Sequence, residues 1–174
     1  MKKLTVRSDD TDIFIFNHPS PIELNQRLEK DICLCGDKQN RTTNVKALMT
    51  HWDMFNYGNS FKELVTWIER SFNDCQLDEF HKQNDFKLNS LWGMVYEKGD
   101  HAIEHNHLPS FYSFVYCVKS SNFSSPLIFK ASSTYIKMEE GKLIFFPSHL
   151  IHYVPLQKYD DKRITISGNI LCVE

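Results

Sequence analysis

The sequence predicts a mostly β domain in which two helices precede a compact sandwich or barrel of short strands. After Lys87 the chain consists of short runs rich in β-branched and aromatic residues, separated by turn formers such as Lys98-Gly99-Asp100 and Glu140-Gly141. Before Lys87, two segments carry apolar residues at helical spacing. Thirteen phenylalanines and seven tyrosines indicate an aromatic-rich core for the β half.

Composition excludes several classes of protein. The 174 residues fit one domain, 1–174, without an internal repeat or linker. The net charge is −2 and no basic cluster predicts nucleic-acid binding. No apolar run approaches the ~20 residues needed to cross a bilayer, and the N-terminus lacks a secretory apolar region. The five cysteines are odd in number and lack zinc-type spacing, so we expect reduced thiols in a cytoplasmic protein.

The first elements are a strand and a helix. An opening strand is expected at residues 11–17, TDIFIFN, a short apolar run. Helix-start chemistry follows: Ser20 suits the N-cap, Pro21 suits the first helical position, and Glu23 closes a capping box. This helix should end near Gly36. Its apolar face consists of Ile22, Leu24, Leu28 and Ile32.

A second helix is predicted from Ser60, as its N-cap, with Glu63 three residues later. Apolar residues then recur at i, i+3, i+4 and i+7, the strongest helical signal in the chain. Between the two helices, residues 36–54 begin with loop composition and show no sustained period. The second helix should bury a core face made of Phe61, Leu64, Val65, Ile68 and Phe72.

Six further strands are expected in the second half. Each is a short apolar run ended by a turn former. They cover residues 91–97, 110–119, 125–131, 141–148, 152–156 and 162–173.

Two histidines stand out among these runs. His105 and His107 are two residues apart, and on a strand that spacing puts both side chains on one face. Neutral imidazole is the commonest metal ligand in proteins. A metal site therefore needs a third ligand from elsewhere in the fold. His152 is the candidate, because it follows the break at Pro147, where its ring can point into a barrel mouth.

The last predicted strand carries a polar face that begins with arginine. Arg163, Thr165, Ser167 and Asn169 alternate with isoleucines along it. A buried arginine needs an anionic partner, and its planar fork suits a carboxylate. The alternative is that Arg163 is exposed beside the acidic pair at 160–161, in a surface salt bridge that contributes little stability.

With a His-x-His pair, then a histidine, then an arginine in consecutive strand-like segments, the chain resembles the Fe(II)/2-oxoglutarate-dependent oxygenases. The resemblance is to the bacterial and phage group with a histidine-rich first metal motif. The matching stretches are LWGMVYEKGDHAIEHNHLPSFYSFVYCV, GKLIFFPSHLIHYV and RITISGNI, with TNVKALMTHW before them, so the resemblance covers about residues 43–172. It implies a double-stranded β-helix, or jelly roll, with supporting helices at its N-terminal end. It also implies an oxidoreductase that uses Fe(II), 2-oxoglutarate and O2 to hydroxylate an unidentified substrate, releasing succinate and CO2.

The resemblance also implies roles for individual residues. His105 and His152 match metal ligands, and Arg163 matches the arginine that binds the far carboxylate of 2-oxoglutarate. Tyr96 stands where related hydroxylases have a tyrosine that holds the cosubstrate. Further polar contacts to the cosubstrate would come from Ser167 or Asn169. The substrate is a small molecule or a peptide, in a pocket lined by residues 40–60 and the loops around Phe111 and Phe123.

Two positions depart from the family pattern. His107 stands where the usual motif has aspartate, and we hypothesise that it ligates the metal and completes a three-histidine face. Glu104 is a poor substitute for the aspartate, because on a strand it points away from His105. Cys117 replaces a tyrosine that usually faces the cosubstrate. It should face inward, and Tyr116 should face away.

Two alternatives stay open. The same histidines, with glycines at positions 99 and 141, match much of the two sequence motifs of the cupins. Some cupins are three-histidine iron dioxygenases that do not use 2-oxoglutarate. Against a cupin, the acidic residue expected after the His-x-His pair is absent, His149 stands where glycine is expected, and Arg163 has no task. The second alternative is a catalytically inactive jelly roll that acts as a binding module.

Overall fold

Across its described residues the chain forms two antiparallel β-sheets, two α-helices and one short 3-10 helix, Met54–Asn56. A computed structural model describes residues 4–8, 11–37, 43–75 and 83–173. The elements, in chain order, are β1 Leu4–Ser8, β2 Thr11–Asn17, α1 Pro21–Cys35, β3 Val45–Lys46, β4 Leu48–Met49, α2 Gly58–Asn73, β5 Asp85–Tyr96, β6 His101–His105, β7 Tyr112–Lys119, β8 Leu127–Phe129, β9 Thr134–Ile136, β10 Lys142–Pro147, β11 His152–Val154 and β12 Arg163–Val173.

The strands assemble as a jelly roll, which confirms the predicted fold class. The larger sheet has seven strands in the order β1-β2-β10-β7-β12-β5-β4, and the smaller has five in the order β3-β6-β11-β8-β9. Strand β12 lies between β7 and β5 and pairs with both, although all three are far apart in the sequence. The last described strand is therefore an interior strand of the larger sheet.

Both helices pack on the outer face of the larger sheet. Their buried residues share one cluster with Ile164, Ile166 and Ile170 of β12. The predicted helical faces are largely confirmed, since Leu24, Leu28 and Ile32 of α1 and Phe61, Leu64, Ile68 and Phe72 of α2 are buried. Ile22 was wrongly assigned to the core: it is 71% exposed. No helix in the described ranges has the length and apolarity to span a bilayer.

The helix starts are partly as predicted. Helix α1 begins at Pro21 with Ser20 at the N-cap position, although the Ser20 side chain makes no capping hydrogen bond. The prediction of Ser60 as the second N-cap is wrong, because α2 already begins at Gly58. Ser60 instead donates a hydrogen bond to Asp31 of α1. A contact between the two helices thus uses the hydroxyl that was expected to cap α2.

The predicted strands are confirmed, with shifted ends. Residues 11–17 form β2, and each of the six later runs overlaps a strand of the structure. The largest shift is in β5, which begins at Asp85. Residues 36–54, in which no sustained period was found, contain the short strands β3 and β4, and β9 was also missed. Residues 38–42 of that segment lie outside the described residues.

A second core cluster fills the space between the two sheets. It includes Trp92, Met94 and Tyr96, which alternate along β5 and so share its inner face. Cys117 of β7 belongs to this cluster, whereas Tyr116 belongs to the helix-side cluster. The predicted orientations of Cys117 and Tyr116 are therefore confirmed. The three histidines lie at one end of this inner layer.

Candidate metal centre

His105, His107 and His152 converge at one end of the jelly roll. His105 ends β6 and His152 begins β11, and the two residues are directly opposite in the antiparallel pairing of those strands. Nitrogen atoms of all three rings lie within 4.8 Å of one another. The ring centroids are 4.4 Å apart for His105 and His152 and 5.0 Å apart for His107 and either partner. The geometry of this cluster suits one metal ion.

His107 reaches the cluster by a different route from the one predicted. Strand β6 ends at His105, so the two histidines do not share a strand face. The backbone N–H of His107 instead donates to the carbonyl of Ser148 at 2.8 Å, which fixes the loop against the turn after β10. Glu104 points away from the cluster, as predicted, and forms an ion pair with Lys130.

Hydrogen bonds orient two of the rings as ligands. The Nδ1–H of His105 donates to the carbonyl of Ile103 at 2.7 Å, and that of His152 donates to the carbonyl of Leu150 at 2.9 Å. Each Nε2 is thereby the unprotonated nitrogen, free to bind a metal. Metal-bound histidines commonly donate their other N–H in this way.

All three imidazoles are neutral near pH 7. Burial lowers the pKa of His105. Burial, with His105 as a second cause, lowers the pKa of His107 to about 4. The pKa of His152 lies well below its ordinary value, again chiefly because of burial. Neutral rings are the form that ligates, so no proton has to leave when a metal binds. Three neutral histidines bring no negative charge to the site, whereas two histidines and an aspartate bring one.

An inner pocket of about 30 Å³ lies beside the histidines and contains unpaired hydrogen-bond donors. Arg163, on its wall, is only 1% exposed. Its Nε and Nη1 atoms have no hydrogen-bond partner in the described part of the chain, and neither do the Thr165 hydroxyl and the Trp92 indole nitrogen. Buried donors are nearly always paired in folded proteins. The residues present therefore fit a bound anion.

Arg163 is buried rather than exposed beside its acidic neighbours. Asp160 lies 3.6 Å from Lys98, and Asp161 accepts a hydrogen bond from Ser121 at 2.7 Å. The alternative that placed Arg163 in a surface salt bridge is therefore wrong.

Two of the three predicted cosubstrate contacts line the same pocket as Arg163. Tyr96 and Ser167 line the inner pocket with it, and the guanidinium carbon lies 4.7 Å from the centre of the Tyr96 ring. Burial raises the pKa of Tyr96, so its phenol stays protonated. Asn169 lies further along β12, where its Oδ1 accepts from Ser113 at 2.9 Å and its amide donates to Ser90 at 3.0 Å.

A wider outer cleft of about 390 Å³ opens over His105 and His107. Five residues of the segment before α2, from Thr43 to Trp52, contribute to its lining. Phe111 and Phe123 do not line it: Phe111 packs against Phe86, and Phe123 against Tyr159. The cleft is lined by Thr43, Asn44, Val45, Met49, Trp52, Asn89, Ser90, Trp92, His105, Asn106, His107 and Asn169.

Sequence reasoning missed Trp92 and Thr165 as site residues. A signal for both was present, because Trp92 alternates with Tyr96 on β5 and Thr165 follows Arg163 by two on β12. Both positions therefore share a face with a residue already selected. Cys117 lies opposite Thr165 in the sheet and packs in the inner core.

Comparison with solved structures identifies the fold, although no family model and no curated protein sequence matches the chain. A prolyl-4-hydroxylase from Pseudomonas putida superposes with a TM-score of 0.72 at 13% identity, over 93% of each chain. HygX from Streptomyces hygroscopicus, with nickel, 2-oxoglutarate and hygromycin B bound, gives 0.72 at 7% identity, over 93% of this chain and 83% of HygX.

A viral collagen prolyl hydroxylase from Paramecium bursaria Chlorella virus-1, in complex with 2-oxoglutarate, gives a TM-score of 0.68 at 14% identity, over 91% of this chain and 94% of that one. The chain thus has the fold of 2-oxoglutarate/Fe(II) oxygenases, as the resemblance implied.

Proposed function

We propose that this protein is an Fe(II)- and 2-oxoglutarate-dependent oxygenase that hydroxylates a small molecule or a peptide. One observation carries the proposal: an almost completely buried arginine with unpaired donors lies in the same pocket as three convergent histidines. A metal alone would not require that arginine. A chelating dicarboxylate requires both features, one for each of its ends. The shared fold with 2-oxoglutarate complexes supports the same assignment.

His105, His107 and His152 would hold the iron. Hydrogen bonds orient the rings of His105 and His152, and burial favours the neutral form of His107. Metal binding therefore needs little rearrangement. When bound, Fe(II) and 2-oxoglutarate supply the oxidising chemistry that consumes O2 and releases succinate and CO2.

Arg163 would bind the far carboxylate of 2-oxoglutarate. A guanidinium–carboxylate pair is charge-assisted and geometrically specific, and it is stronger in a buried pocket than in water. The hydroxyls of Thr165 and Tyr96 can add donors at the same end. The pocket of about 30 Å³ has room for about two water molecules, so a dicarboxylate must displace lining side chains. Met94 is one of these lining side chains, and methionine adapts its shape readily to a neighbouring group.

The outer cleft is the proposed substrate site, because it opens directly over two of the metal ligands. Four asparagine side chains line it, each with a donor and an acceptor, together with two indole rings. Such a lining suits a substrate with amide or hydroxyl groups and an apolar face. A peptide fits that description, as do small metabolites. Solved structures of the same fold include a protein named collagen prolyl hydroxylase and HygX with hygromycin B bound.

We infer a cytoplasmic location for this activity. All five cysteines are free, including the buried Cys75 and Cys117. Free thiols are typical of reducing compartments, in which Fe(II) also persists.

A three-histidine dioxygenase that does not use 2-oxoglutarate is the second candidate, favoured by the lack of a carboxylate in the metal cluster of the described residues. Oxygen consumption by Fe(II)-loaded protein, with and without 2-oxoglutarate, separates the two. We expect consumption and succinate release to depend on 2-oxoglutarate. Equal rates without it would favour the second candidate, and failure to bind Fe(II) would favour a binding module.

The ligand role of His107 is tested by metal affinity. We expect His107→Ala to weaken Fe(II) or Zn(II) binding by about 100-fold or more, because loss of even an outer partner of a metal ligand costs about 10- to 100-fold. Calorimetric titration measures this change. His149→Ala is the matched control, since His149 is exposed and outside the cluster. Equal metal affinities of His107→Ala and the parent would remove His107 from the site.

A further inference from the structure

We propose that Trp92 is a cosubstrate-binding residue, whose indole N–H donates a hydrogen bond to the carboxylate of 2-oxoglutarate nearest the metal. This inference rests on the proposed function and adds a contact that the family resemblance does not supply. It gives the pocket donors at both ends, with Arg163 at the far one.

The first observation is the burial of an unpaired donor. Trp92 is 7% exposed, and its indole nitrogen is buried without a hydrogen-bond partner among the described residues. An indole N–H can donate but cannot accept. Water does not reach it, so a bound acceptor is the way to satisfy it. Trp67, by contrast, lies on α2 among aromatic rings of the helix-side layer.

The second observation is position along the sheet. Strand β12 pairs with β5 so that Arg163 lies opposite Tyr96 and Ser167 lies opposite Trp92. Four residues of strand separate these two pairs, or about 13 Å between backbone positions. Arg163 and Trp92 nevertheless line the same inner pocket. They therefore contribute unpaired donors from positions that are well separated along the sheet, as the two carboxylates of a dicarboxylate require.

The third observation is which end Trp92 occupies. Its ring centre is 5.8 Å from that of His107. Trp92 also lines both the inner pocket and the outer cleft, so it stands where the two meet at the metal ligands. An acceptor bound beside it is therefore the metal-proximal end of the cosubstrate.

The test uses the indole N–H resonances of the Zn(II)-loaded 174-residue chain, labelled with ¹⁵N. Its three tryptophans give three such signals. Single tryptophan-to-phenylalanine variants assign them, and the Trp52 and Trp67 variants identify the Trp92 signal by elimination even if Trp92→Phe does not fold. On addition of 2-oxoglutarate we expect the Trp92 signal to move downfield and its exchange with solvent to slow, while the Trp67 signal stays in place.

Calorimetry provides the second readout. Loss of a hydrogen bond to a charged group should weaken 2-oxoglutarate binding by Trp92→Phe about 10- to 100-fold, with Trp67→Phe unchanged. The analogue 4-oxopentanoate has a methyl group in place of the near carboxylate, so parent and Trp92→Phe should bind it equally. An unmoved Trp92 signal in protein that binds 2-oxoglutarate would overturn this inference alone. No binding of 2-oxoglutarate by the parent would overturn the proposed function as well.

Discussion

The two faces of strand β12 have opposite chemistry. On the helix side, Ile164 and Ile166 are completely buried in a cluster with both helices. On the inner side, Arg163 and Thr165 are buried just as deeply, at 1% and 0% exposed. A single strand in the middle of the sheet thus contributes an apolar layer to one core and polar groups to the other.

The two layers also differ in how their polar groups are paired. On the helix side, the Tyr116 hydroxyl donates to Asn25 Oδ1, and the Asn25 amide donates to the carbonyl of Val118, both at 2.8 Å. On the inner side, the Nε and Nη1 atoms of Arg163, the Thr165 hydroxyl and the Trp92 indole nitrogen have no partner among the described residues. The comparison teaches that burial alone does not mark a stabilising core. The paired groups of the helix side stabilise the fold, and the inner side is where we propose that a ligand binds.

The largest expected effect comes from Arg163→Met. Removing the guanidinium should weaken 2-oxoglutarate binding by about 100- to 4000-fold, because a buried charged partner contributes about 3–5 kcal/mol. Without 2-oxoglutarate the variant should unfold at the same or a higher denaturant concentration, since apolar replacement of a buried charge is often neutral or stabilising by about 1–4 kcal/mol. Calorimetry and urea unfolding measure the two effects. A large loss of stability would mean that Arg163 serves the fold.

Ile166→Ala tests the opposite face of the same strand. It should lower the free energy of unfolding by about 2–5 kcal/mol, the cost of a buried cavity. The affinity for metal and 2-oxoglutarate should change little while the protein is folded, because Ile166 faces the helices. Urea unfolding combined with calorimetry provides the measurement. Weakened ligand binding in folded Ile166→Ala would break the division between the faces.

A smaller effect distinguishes Tyr116→Phe from Thr165→Val. Tyr116→Phe should lose about 1–3 kcal/mol of stability, because it leaves buried Asn25 Oδ1 without its donor. Thr165→Val removes a hydroxyl that already lacks a partner, so its unfolding free energy should stay the same or rise. Urea denaturation of both variants decides the matter. Equal losses in the two proteins would contradict the difference in pairing.

The smallest effect is the pH dependence of Cys117 alkylation. Burial raises the pKa of this thiol to about 11, so at pH 8 about one thiol in a thousand is ionised. Its alkylation in the folded protein should be slow at pH 8 and accelerate as the pH rises towards 11. Exposed Cys33 is the internal reference, and peptide mapping by mass spectrometry follows both sites. Equal rates for Cys33 and Cys117 at pH 8 would show that the inner core is open to reagent.

Much of the fold and part of the site could be predicted because they depend on local rules. Alternation along β12 separated Arg163 from Ile164 correctly, since a strand presents successive side chains to opposite faces. Pro21 marked the start of α1, and periodicity identified the core face of α2. These are consequences of backbone geometry within one segment, and they need no knowledge of what the segment contacts.

What the sequence determined by itself was the type of most elements and the choice of three histidines and one arginine as candidates for binding a metal and an anion. Only the tertiary structure decided which of them meet. His107 joins His105 through a backbone contact with Ser148, rather than through a shared strand. Ser60 contacts Asp31 on the other helix, and Trp92 and Thr165 enter the pocket with unpaired donors. The reason is physical: pairing of hydrogen-bonding groups is set by neighbours distant in the chain, which local spacing does not encode.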